Sequence, residues 1–385
     1  MKSDAKWKRV GWIALLCACG AVHSEQARAQ AATPGTTREQ AEPENPVLKE
    51  RPPQKKQTGP GVVAAEGRIR LDVVVSDASG KPVIGLGPWD FKLLDDGRPQ
   101  KIMSFRAFDG VVSKPDPAVE VVLVMDMANL PFQQVAFVRD QVVKYLRADG
   151  GQLKQPTILI VLSDKGIRVQ PRATTDGNAE AKVVQGIEGG VRTLNSAMGG
   201  EGALERFQLS VRQLEAIAEN EAPKPGRKLV IWVGPGWPML TRSDLQTYSE
   251  KDQKRYFDGI VELSTKLREA RIALYSVSPM SDVTQYDNMY RDYLNGVKSA
   301  HEADSANLAL KVLAVESGGA VMGPDNDLVG QINRCVADAN TFYRISFNPA
   351  AAEHADEYHE LKMIIDKPGA VARTNTGYYN EPAHQ

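Results

Sequence analysis

Between Val119 and Met322, short and almost unbroken apolar runs alternate with longer stretches of helical periodicity. That alternation restricts the chain to an α/β fold, a mostly parallel sheet with helices on both faces. The runs are Val119–Met125, Thr157–Leu162, Lys228–Val233, Ile272–Val277 and Ala320–Met322. A strand covered on both faces needs no polar alternation, so its sequence reads as continuous apolar residues. Between them, Phe132–Arg147 carries Val135, Val138, Val142, Val143 and Leu146 on one stripe, and a helix from Gly202 to Asn220 carries Leu204, Phe207, Val211, Leu214 and Ile217. Three further helices are expected at Tyr256–Arg271, Ser305–Ser317 and Asp327–Ala339, with a short edge strand at Ile167–Gln170.

The flanks of this region have a different period. Ile69, Leu71, Val73 and Val75 alternate with Arg70, Asp72 and Val74, which predicts a half-buried strand closed by the turn Ser76-Asp77-Ala78-Ser79-Gly80. Asp96-Gly97 is a hairpin signal, expected to join Phe91–Leu94 to Lys101–Phe105. After residue 341 the chain returns to strands at Phe342–Phe347, Glu360–Ile365 and Val371–Thr374. Either set alone has too few strands to stand in water. The N-terminal β segment (66–112) and the C-terminal one (341–380) are therefore expected to form one β-sandwich around the inserted 117–340 region, rather than extra edge strands on its sheet.

The first 29 residues read as an export signal: a basic start (Lys2, Lys6, Lys8, Arg9) and an apolar run, Val10 to Val22, too short to span a bilayer. Ala27-Arg28-Ala29 favours cleavage before Gln30, while Leu16-Cys17-Ala18-Cys19 is a competing lipoprotein-like site that would leave a lipid anchor on Cys19. Removing residues 1–29 moves the formal net charge from −1 to −4, and no Arg/Lys run suggests nucleic acid as a partner. Residues 30–65 are rich in Pro, Gln, Glu, Lys and Thr, with too few large apolar side chains to offset the entropy of ordering; they read as a tether. Of three cysteines only Cys335 lies outside the signal, at helical spacing with Ile332, Val336 and Ala339, as a small buried hydrophobe would.

Six phrases occur in one order: Leu71-Asp72-Val73-Val74-Val75-Ser76-Asp77, Asp90-Phe91-Lys92-Leu93-Leu94-Asp95-Asp96-Gly97, Val122-Leu123-Val124-Met125-Asp126, Leu229-Val230-Ile231-Trp232-Val233-Gly234, Glu316-Ser317-Gly318-Gly319 and Gly377-Tyr378-Tyr379. Together they resemble the VWFA-related domain family of the acidobacterial type, over about residues 67–380. The resemblance implies a von Willebrand factor type A domain, Rossmann-like, with flanking β segments. It also implies a place for Mg²⁺ or Mn²⁺, where an Asp-x-Ser-x-Ser loop, a Thr and a further Asp supply oxygens. Here Asp126 matches the first Asp, but Ala128 and Leu130 stand at the two Ser positions, and Gly234-Pro235-Gly236-Trp237-Pro238 stands where the last Asp belongs. Asn129 offers an amide oxygen and Thr193 matches the second-loop Thr, so a reduced, weak metal site of Asp126, Asn129, Thr193 and water is the most the pattern supports.

No Gly-x-Ser-x-Gly elbow, phosphate loop or His-Glu-x-x-His motif occurs. His354, Glu357 and His359 are the only grouping with zinc-like chemistry, in what otherwise reads as a solvated connection. The expectation is therefore an exported, non-enzymatic protein-interaction or adhesion module without a bound cofactor and with a degenerate metal site. Ligands of open α/β sheets gather at the strands' C-terminal edge, so Phe132, Trp237 and Met239 are the expected partner-binding residues there. Two alternatives stand beside it: a Mg²⁺- or Mn²⁺-dependent adhesin using Asp126, and a scaffold whose β-sandwich binds the partner.

Overall fold

A computed structural model describes residues 67–163, 166–187, 200–244, 249–279, 285–323 and 325–382. The expected signal segment with Cys19, the 30–65 tether and Thr193 lie outside the described residues.

In chain order the strands and helices begin with β1 (Ile69–Ser76), β2 (Phe91–Asp95), β3 (Arg98–Gln100), β4 (Ser104–Phe108), β5 (Glu120–Asp126), α1 (Phe132–Arg147) and β6 (Gln152–Ser163). There follow β7 (Gly166–Val169), β8 (Thr174–Asp176), α2 (Gly177–Gln185), α3 (Gly200–Glu221), β9 (Lys228–Val233), α4 (Glu250–Glu269) and β10 (Ile272–Val277). The chain ends with α5 (Leu310–Glu316), β11 (Ala320–Met322), α6 (Leu328–Ala337), β12 (Phe342–Phe347), β13 (Glu357–Ile365), β14 (Val371–Arg373) and β15 (Gly377–Asn380).

Seven strands form the central sheet, six of them in the order β7-β6-β5-β9-β10-β11 and β8 also pairing with β6; all are parallel except β7 and β8, which run antiparallel to β6. Counted along that path this is the order 3-2-1-4-5-6 of a doubly wound α/β sheet. Alternate residues of β5 face opposite layers. Val121, Leu123 and Met125 meet Val138 and Val142 of α1 and Ile332 and Cys335 of α6; Val122 and Val124 meet Phe207 and Leu214 of α3 and Ile260 and Leu263 of α4. Burial on both faces is why the strand sequences carry no polar alternation.

The flanking segments build a β-sandwich, as their strand counts required. One sheet is β14-β1-β12-β4 and the other β15-β13-β2-β3, so each mixes strands from both ends of the chain. Their shared core contains Leu71, Val73, Val75, Phe91, Leu93, Tyr343, Ile345, Phe347 and Leu361. The outer face of β1 lies against the central domain, where Val74, Phe108 and Phe342 join the α1/α6 layer. Asp72 on that face binds Arg271 at 2.6 Å and Arg344 at 3.2 Å. Burial alone would raise its carboxyl, but the charges of Arg271, Arg227 and Arg344 outweigh it and hold the group below the ordinary range.

Several boundaries differ from the sequence expectation, each for a local reason. Asp96-Gly97 does form the turn, with φ of 47° and 75°, but β2 pairs with β3 (Leu93↔Gln100) and not with residues 101–105. The chain instead crosses to the other sheet, where β4 pairs with β12 and Phe105 sits 5.3 Å from Phe91 and 5.8 Å from Tyr343. Helix α4 starts at Glu250, not Tyr256, because Ser249 and Asp252 form a reciprocal capping box ahead of any apolar residue. The expected helix Ser305–Ser317 is a 3-10 turn over Ser305–Leu308 and then α5, divided by an extended Ala309. The expected 327–339 helix is α6, with Asp327 as its cap, and β15 is a strand beyond those expected.

Candidate functional site

Asp126 closes β5 at the C-terminal edge of the central sheet and is fully buried. Its even register turns it toward the α3 layer, beside β9, where Val124 pairs with Trp232. The indole Nε1 of Trp232 donates to Asp126 Oδ2 at 2.8 Å. Asn129 donates its backbone N–H to Oδ1 at 3.1 Å and its Nδ2 to Oδ1 at 3.0 Å and Oδ2 at 2.8 Å. That amide also reaches Ser210 Oγ on α3, at 3.0 Å. Burial raises the Asp126 carboxyl above its ordinary range, against the lowering effect of the Trp232 and Asn129 hydrogen bonds.

These residues do not fit a hard dication. Mg²⁺ needs close to six oxygens in octahedral array, whereas both Asp126 oxygens are already taken up by N–H donors. Asn129 turns its amide nitrogen, not its oxygen, to the carboxylate, so the two do not chelate. Ala128 and Leu130, at the two Ser positions, are buried apolar groups. The chain leaving β9 also passes too close for a third-loop ligand: a Cβ on Gly234 would lie 2.8 Å from Asp126 Cβ. The reduced site of Asp126 and Asn129 is therefore a closed hydrogen-bond cluster, and its other expected member, Thr193, lies outside the described residues.

The expected contact surface is corrected in one residue. Phe132, at the start of α1, is 61% exposed, and Met239 is half-buried, but Trp237 is only 4% exposed. Its ring packs edge-on against Trp232 at 5.2 Å and its Nε1 donates to the Leu308 carbonyl at 3.0 Å. Gly236, at φ 78°, turns the chain inward; a Cβ there would meet Leu310 Cδ2 at 2.9 Å. A run of Gly and Pro that reads as an exposed turn thus folds its tryptophan into the core.

The grouping of His354, Glu357 and His359 also separates. Glu357 Oε2 accepts the backbone N–H groups of Glu353 and His354, whereas His359 is buried in the sandwich beside Asp95 and Asp96 of the β2–β3 turn. Sequence reasoning missed those two partners because pairing of β2 with β13 brings together residues 264 apart. Cys335 is buried in the α6 layer as expected, its thiol pushed up by burial.

A second enclosed region lies between α4, α5, β13 and β15, lined by Arg268, Glu316, Tyr358 and Tyr379 among others. Glu316 faces it, its carboxyl pushed up to about 8 by burial. The space has a volume of about 20 Å³, room for about one water molecule.

No family model and no curated protein matches the sequence. Among solved structures, an aerotolerance-related membrane protein from Bacteroides fragilis is similar over 58% of this chain and 98% of its own, at 14% identity and a TM-score of 0.32. The manganese-loaded TRAP protein of Plasmodium vivax matches over 71% of this chain and 97% of its own, at 9% identity and a TM-score of 0.30. The pilus adhesin SpaC of Lactobacillus rhamnosus GG matches over 80% of this chain and 50% of its own, at 10% identity and a TM-score of 0.33. With likeness this distant, the fold assignment rests on the strand order of the central sheet and on the paired sandwich beside it.

Proposed function

We propose that this chain is an exported, non-enzymatic interaction module that engages a protein partner without a metal at the sheet's C-terminal edge. The observation that carries the reading is the closure of Asp126: a buried carboxylate whose oxygens accept from Trp232 and Asn129 has no lone pair directed at solvent. An adhesin of the metal-dependent kind needs that carboxylate open to a dication and, through it, to an acidic group of the partner. What the edge offers instead is exposed Phe132 at the start of α1 and half-buried Met239 on the chain after β9. Export rests on the N-terminal sequence, and the non-enzymatic reading on the absence of a nucleophile or acid/base motif. A second reading places the contact on the sandwich, where Trp89 is 80% and Ile84 60% exposed on one loop.

The test is thermal unfolding of the full chain in EDTA and in millimolar Mg²⁺ or Mn²⁺, since a ligand that binds only the folded state raises the midpoint. The expected result is no shift that depends on Asp126. A saturable rise abolished by Asp126→Ala would overturn the reading in favour of the adhesin. With a partner in hand from cross-linking, Phe132→Ala should weaken capture in the presence of EDTA, and loss through Trp89→Ala alone would move the contact to the sandwich.

A further inference from the structure

The β-sandwich holds three side chains with the chemistry of a metal centre, and nothing in the reading above uses them. β2 ends on Asp95, the turn places Asp96 next, and antiparallel β13 carries His359 alongside. His359 Nδ1 stands 3.2 Å from Asp95 Oδ1 and 3.2 Å from Asp96 Oδ2. One ligand-type atom from each of the three residues falls within 4.8 Å of the others. In a tetrahedral site with metal–ligand bonds of ~2.0–2.1 Å, neighbouring ligand atoms are ~3.3 Å apart, close to both distances measured from the imidazole.

The surroundings hold these atoms in place. Tyr378 donates its hydroxyl to Asp95 Oδ2 at 2.8 Å, and the backbone N–H of Glu360 donates to Asp96 Oδ1 at 2.9 Å. Each carboxylate thus has one oxygen fixed by an outer donor and presents the other to the imidazole, the arrangement that orients ligands in metal sites. The His359 ring is stacked on Tyr378 at 4.8 Å and 11°. Asp95 and His359 are buried, whereas the Asp96 side chain is 47% exposed, which leaves one side open for entry and for a water ligand.

We propose that Asp95, Asp96 and His359 bind one divalent transition cation of borderline softness, Zn²⁺ above all, with water as the fourth ligand. One imidazole nitrogen and two carboxylates suit that class; they supply too few oxygens for Ca²⁺ or for tight Mg²⁺ binding. Coordination at Nδ1 moves the ring proton to Nε2, a buried atom with no hydrogen-bond partner among the described residues. That places the site's affinity below that of a zinc site whose histidine donates its other ring N–H to a carboxylate or carbonyl.

The experiment uses the full chain, stripped of metal by chelation and titrated with Zn²⁺ by calorimetry, then with Co²⁺ as an optical reporter. One equivalent should bind saturably, give the intense visible absorption of tetrahedral Co²⁺, and raise the thermal midpoint. Asp96→Asn, a conservative change at an exposed side chain, should weaken binding about tenfold or more, and Tyr378→Phe, at a positioning residue, about tenfold. His354→Ala and Asp126→Asn should leave it unchanged, which separates this site from the sheet edge and from the neighbouring loop. Absence of one-equivalent Zn²⁺ binding, or affinity unaltered in both Asp96→Asn and Asp95→Asn, overturns the proposal and makes the cluster a histidine–carboxylate hydrogen-bond pair only.

Discussion

Trp232→Phe is the substitution that most directly interrogates the closed cluster at the sheet edge. Among the described residues it removes the one side chain outside the Asp126–Asn129 loop that donates to the buried carboxylate, at 2.8 Å. A hydrogen bond to a charged, desolvated group contributes ~1.5–3 kcal/mol. Losing the outer ring of a fully buried indole, packed edge-on against Trp237, adds roughly 1–2 kcal/mol of transfer and cavity cost. With Asp126 ionised the sum is about 2.5–5 kcal/mol, read by guanidinium unfolding followed by circular dichroism. Asp126 has a folded carboxyl raised above its unfolded value by burial. The stability tied to such a group is complete below the unfolded pKa and is lost as pH rises through the folded one. Without the indole donor the folded carboxyl rises further, so the variant's deficit should be smallest in acid, where Asp126 is protonated in both states, and should grow as pH rises through the folded value. Trp237→Phe is the internal control: it loses a comparable ring but donates to a neutral carbonyl, so its cost should not vary with pH. A Trp232→Phe deficit below about 1 kcal/mol where Asp126 is ionised, or one that does not grow from about pH 4 to about pH 9, would refute the argument.

Two further outcomes follow from the charged groups at the domain junction. Asp72→Asn, which leaves Arg271 and Arg344 facing a neutral amide, should cost roughly 3 kcal/mol at pH 7 by denaturant unfolding. The folded Asp72 carboxyl is lowered, so this stability is present above its ordinary pKa and is lost as pH falls through the folded value; the two proteins should converge in strong acid. Glu316→Gln works in the opposite sense. With the folded Glu316 carboxyl raised from 4.5 to about 8, the wild type loses stability as pH rises between those values. The Gln variant should match it at pH 4 and exceed it at pH 9 by on the order of 2 kcal/mol, after allowance for partial solvation of the site; melting midpoints that do not diverge would rule this out.

The central sheet was legible because each of its strands is covered on both faces, which leaves a mark at every position. The sandwich was legible by a different route: two strand sets, each too small, needed each other. Register and capping were less visible. The start of α4 is written only in the polar capping box Ser249-Glu250-Lys251-Asp252 and not in apolar spacing, so a reading by periodicity places it about a turn and a half too late. The absence of Ser at positions 128 and 130 led to the expectation of a degenerate metal site, but the hydrogen-bond cluster around Asp126 did not show, because Trp232 reaches Asp126 through strand adjacency across 106 residues. Trp237 was misplaced for a related reason: a glycine at positive φ decides whether the following side chain points outward or in, and the sequence does not carry that sign.

Interleaving of the two end segments in the sandwich has a kinetic consequence. β1 lies between β12 and β14, so its neighbours are about 270 to 300 residues away along the chain, whereas the central sheet closes over a continuous stretch, Glu120 to Met322. Pairings of such separation are slow to form. During synthesis the central domain has all its strands while the sandwich still has only four of its eight, and β1 to β4 meanwhile present unpaired edges. The tail from Phe342 onward therefore acts as the latch of the whole chain: its arrival converts a loose apolar ribbon into a closed second core.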